Sequence, residues 1–170
     1  MSELLARWNN LSLEEAARAI LPCCGSEAWA RGLAARRPIL DEAALVAASD
    51  AVWNSLRAGD WMEAFQSHPR IGESHGPPAA SRQSAAWSRA EQQQVASAEQ
   101  EVKLALAEGN RAYEKRFHRI FILCASGKSA TEILGILRRR LQNDDKTELH
   151  EAAEQQRQIA QIRLKKWLSL

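Results

Sequence analysis

Residues 41–56 read DEAALVAASDAVWNSL, and their spacing decides the fold class. Leu45, Ala48, Val52 and Leu56 recur at three and four residues, so in a helix they share one face. Asp41 opens the segment as a capping residue, and Gly59 is expected to close it. The same periodicity runs outward in both directions, whereas no stretch alternates apolar and polar residues between turn signals. The expected class is therefore all-α: a single-domain multi-helix bundle of about eight helices over residues 1–170, with no sheet.

On the N-terminal side, Ser12 precedes LEEAARAIL with Glu15 three residues on, a capping box, and Pro22 ends that helix. A short helix follows through SEAWARGLAA. On the C-terminal side, DWMEAFQS stops at His68-Pro69, and GESHGPPAASRQS at 72–84 reads as a loop rich in Gly, Pro and Ser. Trp87, Glu91, Val95, Ala98, Val102 and Leu106 then trace one stripe of a long helix that Gly109-Asn110 is expected to break. A further helix is expected through RAYEKRFHRIFILCA to Gly127. Ser129 with Glu132 starts another through ILGILRRRL, and a last helix runs from about Asp145 to Leu168.

The chain of 170 residues is 45% apolar and 26% charged, enough to fold around a core without staples. A net charge of +2 does not by itself call for nucleic acid, and no run approaches the ~20 apolar residues of a membrane span. MSELLARWNN lacks the pattern of a secretory signal. Cys23, Cys24 and Cys124 form no CxxC pair, which suits a reducing cytoplasm, and the scattered histidines His68, His75, His118 and His150 suggest no metal site. The cysteines read as packing residues.

Three residues break the local pattern. Glu91 lies on the apolar stripe between Trp87 and Val95, where a buried carboxylate needs a partner; alternatively Ser88 and Glu91 form a capping box in SRAEQ. Arg163 shares a face with Ile159 and Trp167, so its guanidinium either snorkels to solvent or meets a buried anion. His68 stands at a helix end before Pro69, as a cap or as a proton-transfer group next to a loop. Separately, residues 111–140 carry eight Lys or Arg against two Glu, including RRR at 138–140. That is either a solvated face or a basic surface for nucleic acid or a protein partner.

Four segments occur together and in order: SHPRIGE at 67–73, SRAEQ at 88–92, NRAYEKRFHRIFILCASGKS at 110–129 and QIAQIRL at 158–164. The set resembles the OHCU decarboxylase family, the 2-oxo-4-hydroxy-4-carboxy-5-ureidoimidazoline decarboxylases of urate breakdown. VW at 52–53, LRRRLQND and Glu148-Leu149 add to the likeness, which covers nearly the whole chain. The resemblance implies that His68 is the catalytic histidine. It implies that Pro69, Ser88, Glu91, Gln92 and Arg163 bind substrate, and that Phe121 and Ile122 line the pocket through their backbone. Where the family often has FGFPFI, this chain has FHRIFI, with His118, Arg119 and Ile120 replacing Gly, Phe and Pro.

The implied substrate is a small anionic ureidoimidazoline whose carboxylate sits beside a C=N bond able to receive the electrons that CO2 leaves behind, so no cofactor is expected. The resemblance further implies (S)-allantoin as product and a cytoplasmic homodimer, with neither nucleic acid nor membrane as partner. The chain's LSL end, in place of a peroxisomal tripeptide, points the same way. The competing class is a helical binding domain that uses the 111–140 basic face.

Overall fold

Two capping boxes form as their spacing requires. Ser12 and Glu15 exchange side-chain and backbone hydrogen bonds at the start of one helix, and Ser129 and Glu132 do so at another. In both, the hydrogen bonds from the serine pull the glutamate carboxyl below its ordinary range. The computed structural model describes residues 2–73 and 81–170. Among these there is no strand, so the all-α class holds, with ten α-helices and one short 3-10 turn rather than about eight helices. His75 and most of the GESHGPP stretch lie outside the described residues.

The chain divides into two compact units. The first comprises residues 1–64 and 157–170. It contains α1 (Glu3–Asn9), α2 (Leu13–Ile20), the 3-10 turn Leu21–Cys23, α3 (Glu27–Ala34), α4 (Glu42–Ser55) and most of α5 (Ala58–Gln66). The end of α10 (Asp145–Leu168) completes it. Asp41 caps α4 by accepting the Ala44 N–H, as expected, but α4 ends at Ser55 and Gly59 lies inside α5. Its buried face is Leu45, Ser49, Val52 and Trp53 rather than one ending on Leu56. Buried indoles organise this unit. Trp8 donates to Ala16 O at 2.9 Å and meets Trp167 edge-on, and Trp29 donates to Ser49 Oγ at 3.1 Å. Asp50 accepts from Arg157 and Gln161, which ties α4 to α10.

The second unit, residues 65–156, holds α6 (Arg82–Glu91), α7 (Gln93–Ala96), α8 (Gln100–Phe117), α9 (Ala130–Arg140) and the start of α10. The single long helix expected over Trp87 to Leu106 is three shorter pieces. Val95 and Leu106 stay in the core, but α6 buries Ser84 and Ser88 instead of the Trp87–Glu91 line. Gly109-Asn110 does not break a helix; both residues lie inside α8. A Cβ on Gly109 would stand 2.5 Å from Leu137 Cδ2, so the glycine is there to let α9 approach. Asn110 is buried and reaches across to Ile71 O at 2.8 Å.

The helix expected to continue through IFILCA instead ends at Phe117, with His118 in the left-handed region at φ 54°. Residues 121–125 are non-helical yet buried, so their backbone groups need partners that no ladder supplies. The Lys128 N–H supplies one to the Ala125 carbonyl, and side chains supply three more. Arg140 Nη1 donates to Ile122 O at 2.6 Å, Lys128 Nζ to Cys124 O at 2.8 Å, and Gln155 Oε1 accepts from Cys124 N at 3.0 Å.

His118 is exposed and its only conformational duty is the helix-ending turn, where Gly carries no Cβ penalty. His118→Gly is expected to stabilise the protein by about 0.5–1 kcal/mol, raising the thermal midpoint by roughly 1–4 °C, whereas His118→Ala keeps the Cβ and gains nothing comparable. Differential scanning calorimetry on the two variants checks this.

Candidate active site

The second unit contains a cavity of about 200 Å³ whose wall includes Pro69, Gly72, Ser88, Gln92 and Val95. It is small against the hundreds of Å³ of pockets for drug-sized ligands, and its largely apolar wall carries Glu73, Ser88, Arg89 and Gln92 as polar groups. Two elements build it. One is the segment that leaves α5 at Gln66: His68 N–H donates to Phe65 O at 3.1 Å, Pro69 prevents further helix, and Gly72 takes φ +92°, a conformation other residues rarely adopt. The other is α6 with the turn into α7. Ser88 is buried in the last turn of α6, and Gln92 follows that helix as the hinge residue.

The two elements are joined across the wall by Gly72 N–H, which donates to Gln92 Oε1 at 2.9 Å. This orients the Gln92 amide through its oxygen, with the NH2 group as its donor end. His68 immediately precedes the lining residue Pro69 and is itself buried. Glu91 is the last residue of α6 and half-buried. Its capping-box reading with Ser88 fails, because the helix begins at Arg82 under Ser81, whose Oγ accepts the Ser84 N–H at 3.1 Å. Glu91 thus places a carboxylate at the C-terminal end of α6, not at its start.

Phe121 and Ile122 are buried in the non-helical segment after α8, Phe121 against the Tyr113 ring at 5.3 Å. Arg163 belongs to the first unit, where it is wholly buried, so the snorkelling alternative fails. Its charge is felt by Cys23, whose thiol is pushed up by burial while the Arg163 cation works in the opposite direction.

Sequence reasoning missed Glu73 and Arg89 in the cavity wall, and a buried ion pair elsewhere in the unit. Arg140, read as part of a basic face, is fully buried and donates through Nε (2.9 Å) and Nη2 to Glu148 Oε1, which also accepts the Tyr113 hydroxyl. Burial and that carboxylate push the Tyr113 phenol up. The signal was present: Arg140 continues the line Ile133–Leu137 at helical spacing, the same irregularity that singled out Arg163. Much of the 111–140 charge is engaged locally. Arg119 pairs with Asp145 and Arg139 with Glu151, Glu114 on α8 pairs with Arg70, and Arg116 donates to Asn143 O.

Residues 9–165 match the family model described as OHCU decarboxylase. The chain belongs to the OHCU decarboxylase family. It is a family of carboxy-lyases acting in urate degradation. The chain is 38% identical over 155 residues to the uric acid degradation bifunctional protein TTL of Arabidopsis thaliana, matching 86% of this chain and 45% of that protein. It therefore spans less than half the length of that relative. It is 32% identical to an OHCU decarboxylase whose crystal structure was determined in the presence of (S)-allantoin, with a TM-score of 0.74 over 88% of this chain and 96% of that one. An (S)-allantoin synthase structure, 20% identical, shares the fold at a TM-score of 0.71 over 96% of this chain and 53% of that one. No helix among the described residues is long and apolar enough to cross a membrane.

Proposed function

We propose that this chain converts OHCU to (S)-allantoin and CO2 without a cofactor, with His68 moving protons at the edge of the Pro69–Ser88–Gln92 cavity. The observation that carries the reading is that cavity: the family's histidine-proline motif and its Ser88–Gln92 motif form opposite parts of one wall. In the reaction the bond from the ring carbon to the carboxylate breaks, and its electron pair moves into the neighbouring C=N bond. CO2 leaves an enol across the two ring carbons while the former imine nitrogen takes up a proton; the enol hydroxyl then gives up its proton to become the ring carbonyl, and a proton is added to the adjacent carbon. His68 is assigned these transfers because imidazole exchanges protons near neutrality. Delivery from one face makes a single enantiomer.

Gln92 donates to a substrate carbonyl, Glu91 accepts from ureido or ring N–H groups, and Ser88 and Pro69 shape the wall. Phe121 and Ile122 contribute backbone groups, and the buried Arg163 guanidinium is assigned to the substrate's carboxylate. These assignments rest on the family resemblance, together with the place of Pro69, Ser88 and Gln92 in the cavity wall and the burial of Phe121, Ile122 and Arg163. The basic-surface alternative is disfavoured by the local pairing of Arg119, Arg139 and Arg140 with carboxylates. We also place the protein in the cytoplasm as a homodimer. Three buried, unbridged cysteines suit a reducing compartment, and light scattering tests the dimer.

The deciding experiment adds the protein to freshly generated OHCU and follows ultraviolet absorbance and circular dichroism. Decay faster than the spontaneous reaction, with product of one handedness, is expected; a spontaneous rate and racemic product overturn the reading. Glu91→Ala is expected to raise KM about tenfold or more, the cost of one hydrogen bond to a charged group, with a smaller change in kcat. Steady-state kinetics with KM and kcat both unchanged rule out the binding role.

A further inference from the structure

His68 and Pro69 begin a stretch whose next three residues are each tied to a different side chain. Arg70 lies along the Glu114 carboxylate in a two-pronged pair, Nε to Oε1 and Nη2 to Oε2 at 2.9 Å, with Glu73 Oε2 3.6 Å from Nη1. Ile71 O accepts from the buried Asn110, one helical turn before Glu114 on α8. Gly72 N–H donates to Gln92. The stretch has no helix or strand to hold its shape, so these anchors define where the cavity wall stands. Asn110 and Gln92 grip its backbone, while Arg70 grips α8 through its own side chain.

We propose that Arg70 and Glu114 are positioning residues for the decarboxylation, their ion pair holding the 69–72 wall against α8 and thereby His68 at its working place. This rests on the assignment of His68 as the proton-transfer residue. Hydrogen bonding to Glu114 raises the Arg70 guanidinium's affinity for its proton, in keeping with a persistent pair. Arg70 is 45% and Glu114 28% exposed, so the pair adds little to stability. Turnover is far more sensitive, because a displacement of about 1 Å in a reacting geometry costs up to about a hundredfold in rate.

The test measures kcat, KM and thermal midpoint for the wild type, Arg70→Ala, Glu114→Ala and the double variant. Each single change is expected to lower kcat about tenfold with KM held within about threefold and the midpoint within about 3 °C. The double variant should lose no more than either single, since both act through one contact. Unchanged kcat, losses that multiply in the double variant, or a fall in midpoint that accounts for the lost activity each overturn the positioning role. An active wild type with indifferent variants sinks this inference alone. A wild type without decarboxylase activity overturns the proposed function and the positioning role with it.

Discussion

His68→Asn is expected to leave the fold intact and to lower kcat by about 10²–10⁴-fold, the usual worth of a positioned acid or base. His68 sits two residues past the end of α5, outside any helix, so the exchange leaves the helix's backbone hydrogen bonds in place. Asparagine keeps polarity and approximate size but does not titrate near neutrality, which separates the proton transfer from the shape of the wall. Binding should survive, because Gln92, Glu91 and Arg163 remain, and KM is expected to change much less than kcat. Handedness supplies a second readout. If His68 delivers the proton to one face, the residual turnover of the variant yields allantoin of lower enantiomeric excess, visible by circular dichroism. A variant with wild-type kcat, its unfolding transition unchanged, removes His68 from the chemistry.

The features legible in the sequence were those decided within a few residues. The Ser12–Glu15 and Ser129–Glu132 capping boxes, the Asp41 cap and the Asp145–Leu168 helix need only local spacing to be seen. Misread features had distant causes. Gly109 is a helix breaker by local rule, and only the presence of Leu137 on α9 explains why it lies in mid-helix. Helical periodicity through IFILCA predicts helix because apolar residues fill every face. The segment is free to be non-helical because Arg140, Lys128 and Gln155 take up its backbone groups. Glu91 shows the converse: the long apolar stripe exaggerated its burial, since the helix turns over at Gln92 and redirects the face. The family was legible through ordered short motifs. The anchors that shape it, Asn110 and Glu114, look like ordinary helix polar residues until their partners are seen.

Glu148→Ala is expected to cost about 3–5 kcal/mol of stability, the penalty for stranding one member of a buried ion pair. Glu148 and Arg140 are both wholly buried, and Glu148 accepts from Arg140, Tyr113 and, at 2.8 Å, Asn143. Its removal leaves the Arg140 cation in the core between the Phe121 ring, 4.6 Å away, and the Ile122 carbonyl. At roughly 2–4 °C per kcal/mol for a chain of this size, the thermal midpoint should fall by about 10 °C or more. Burial, not bidentate geometry, sets this magnitude. Arg31 grips Glu14 with two hydrogen bonds of 2.8 and 2.9 Å, yet both side chains are more than half exposed, and Arg31→Ala is expected to cost less than about 1 kcal/mol. Pairing Glu148→Leu with Arg140→Met removes both charges and should recover much of the loss. The recovery is incomplete, because Ile122 O then lacks its donor, worth about 1–3 kcal/mol when buried. Urea denaturation of the three variants orders them. If Glu148→Ala proves as mild as Arg31→Ala, the pair does not hold the 121–125 segment, and the account of how that segment stays buried without a helix or a ladder fails.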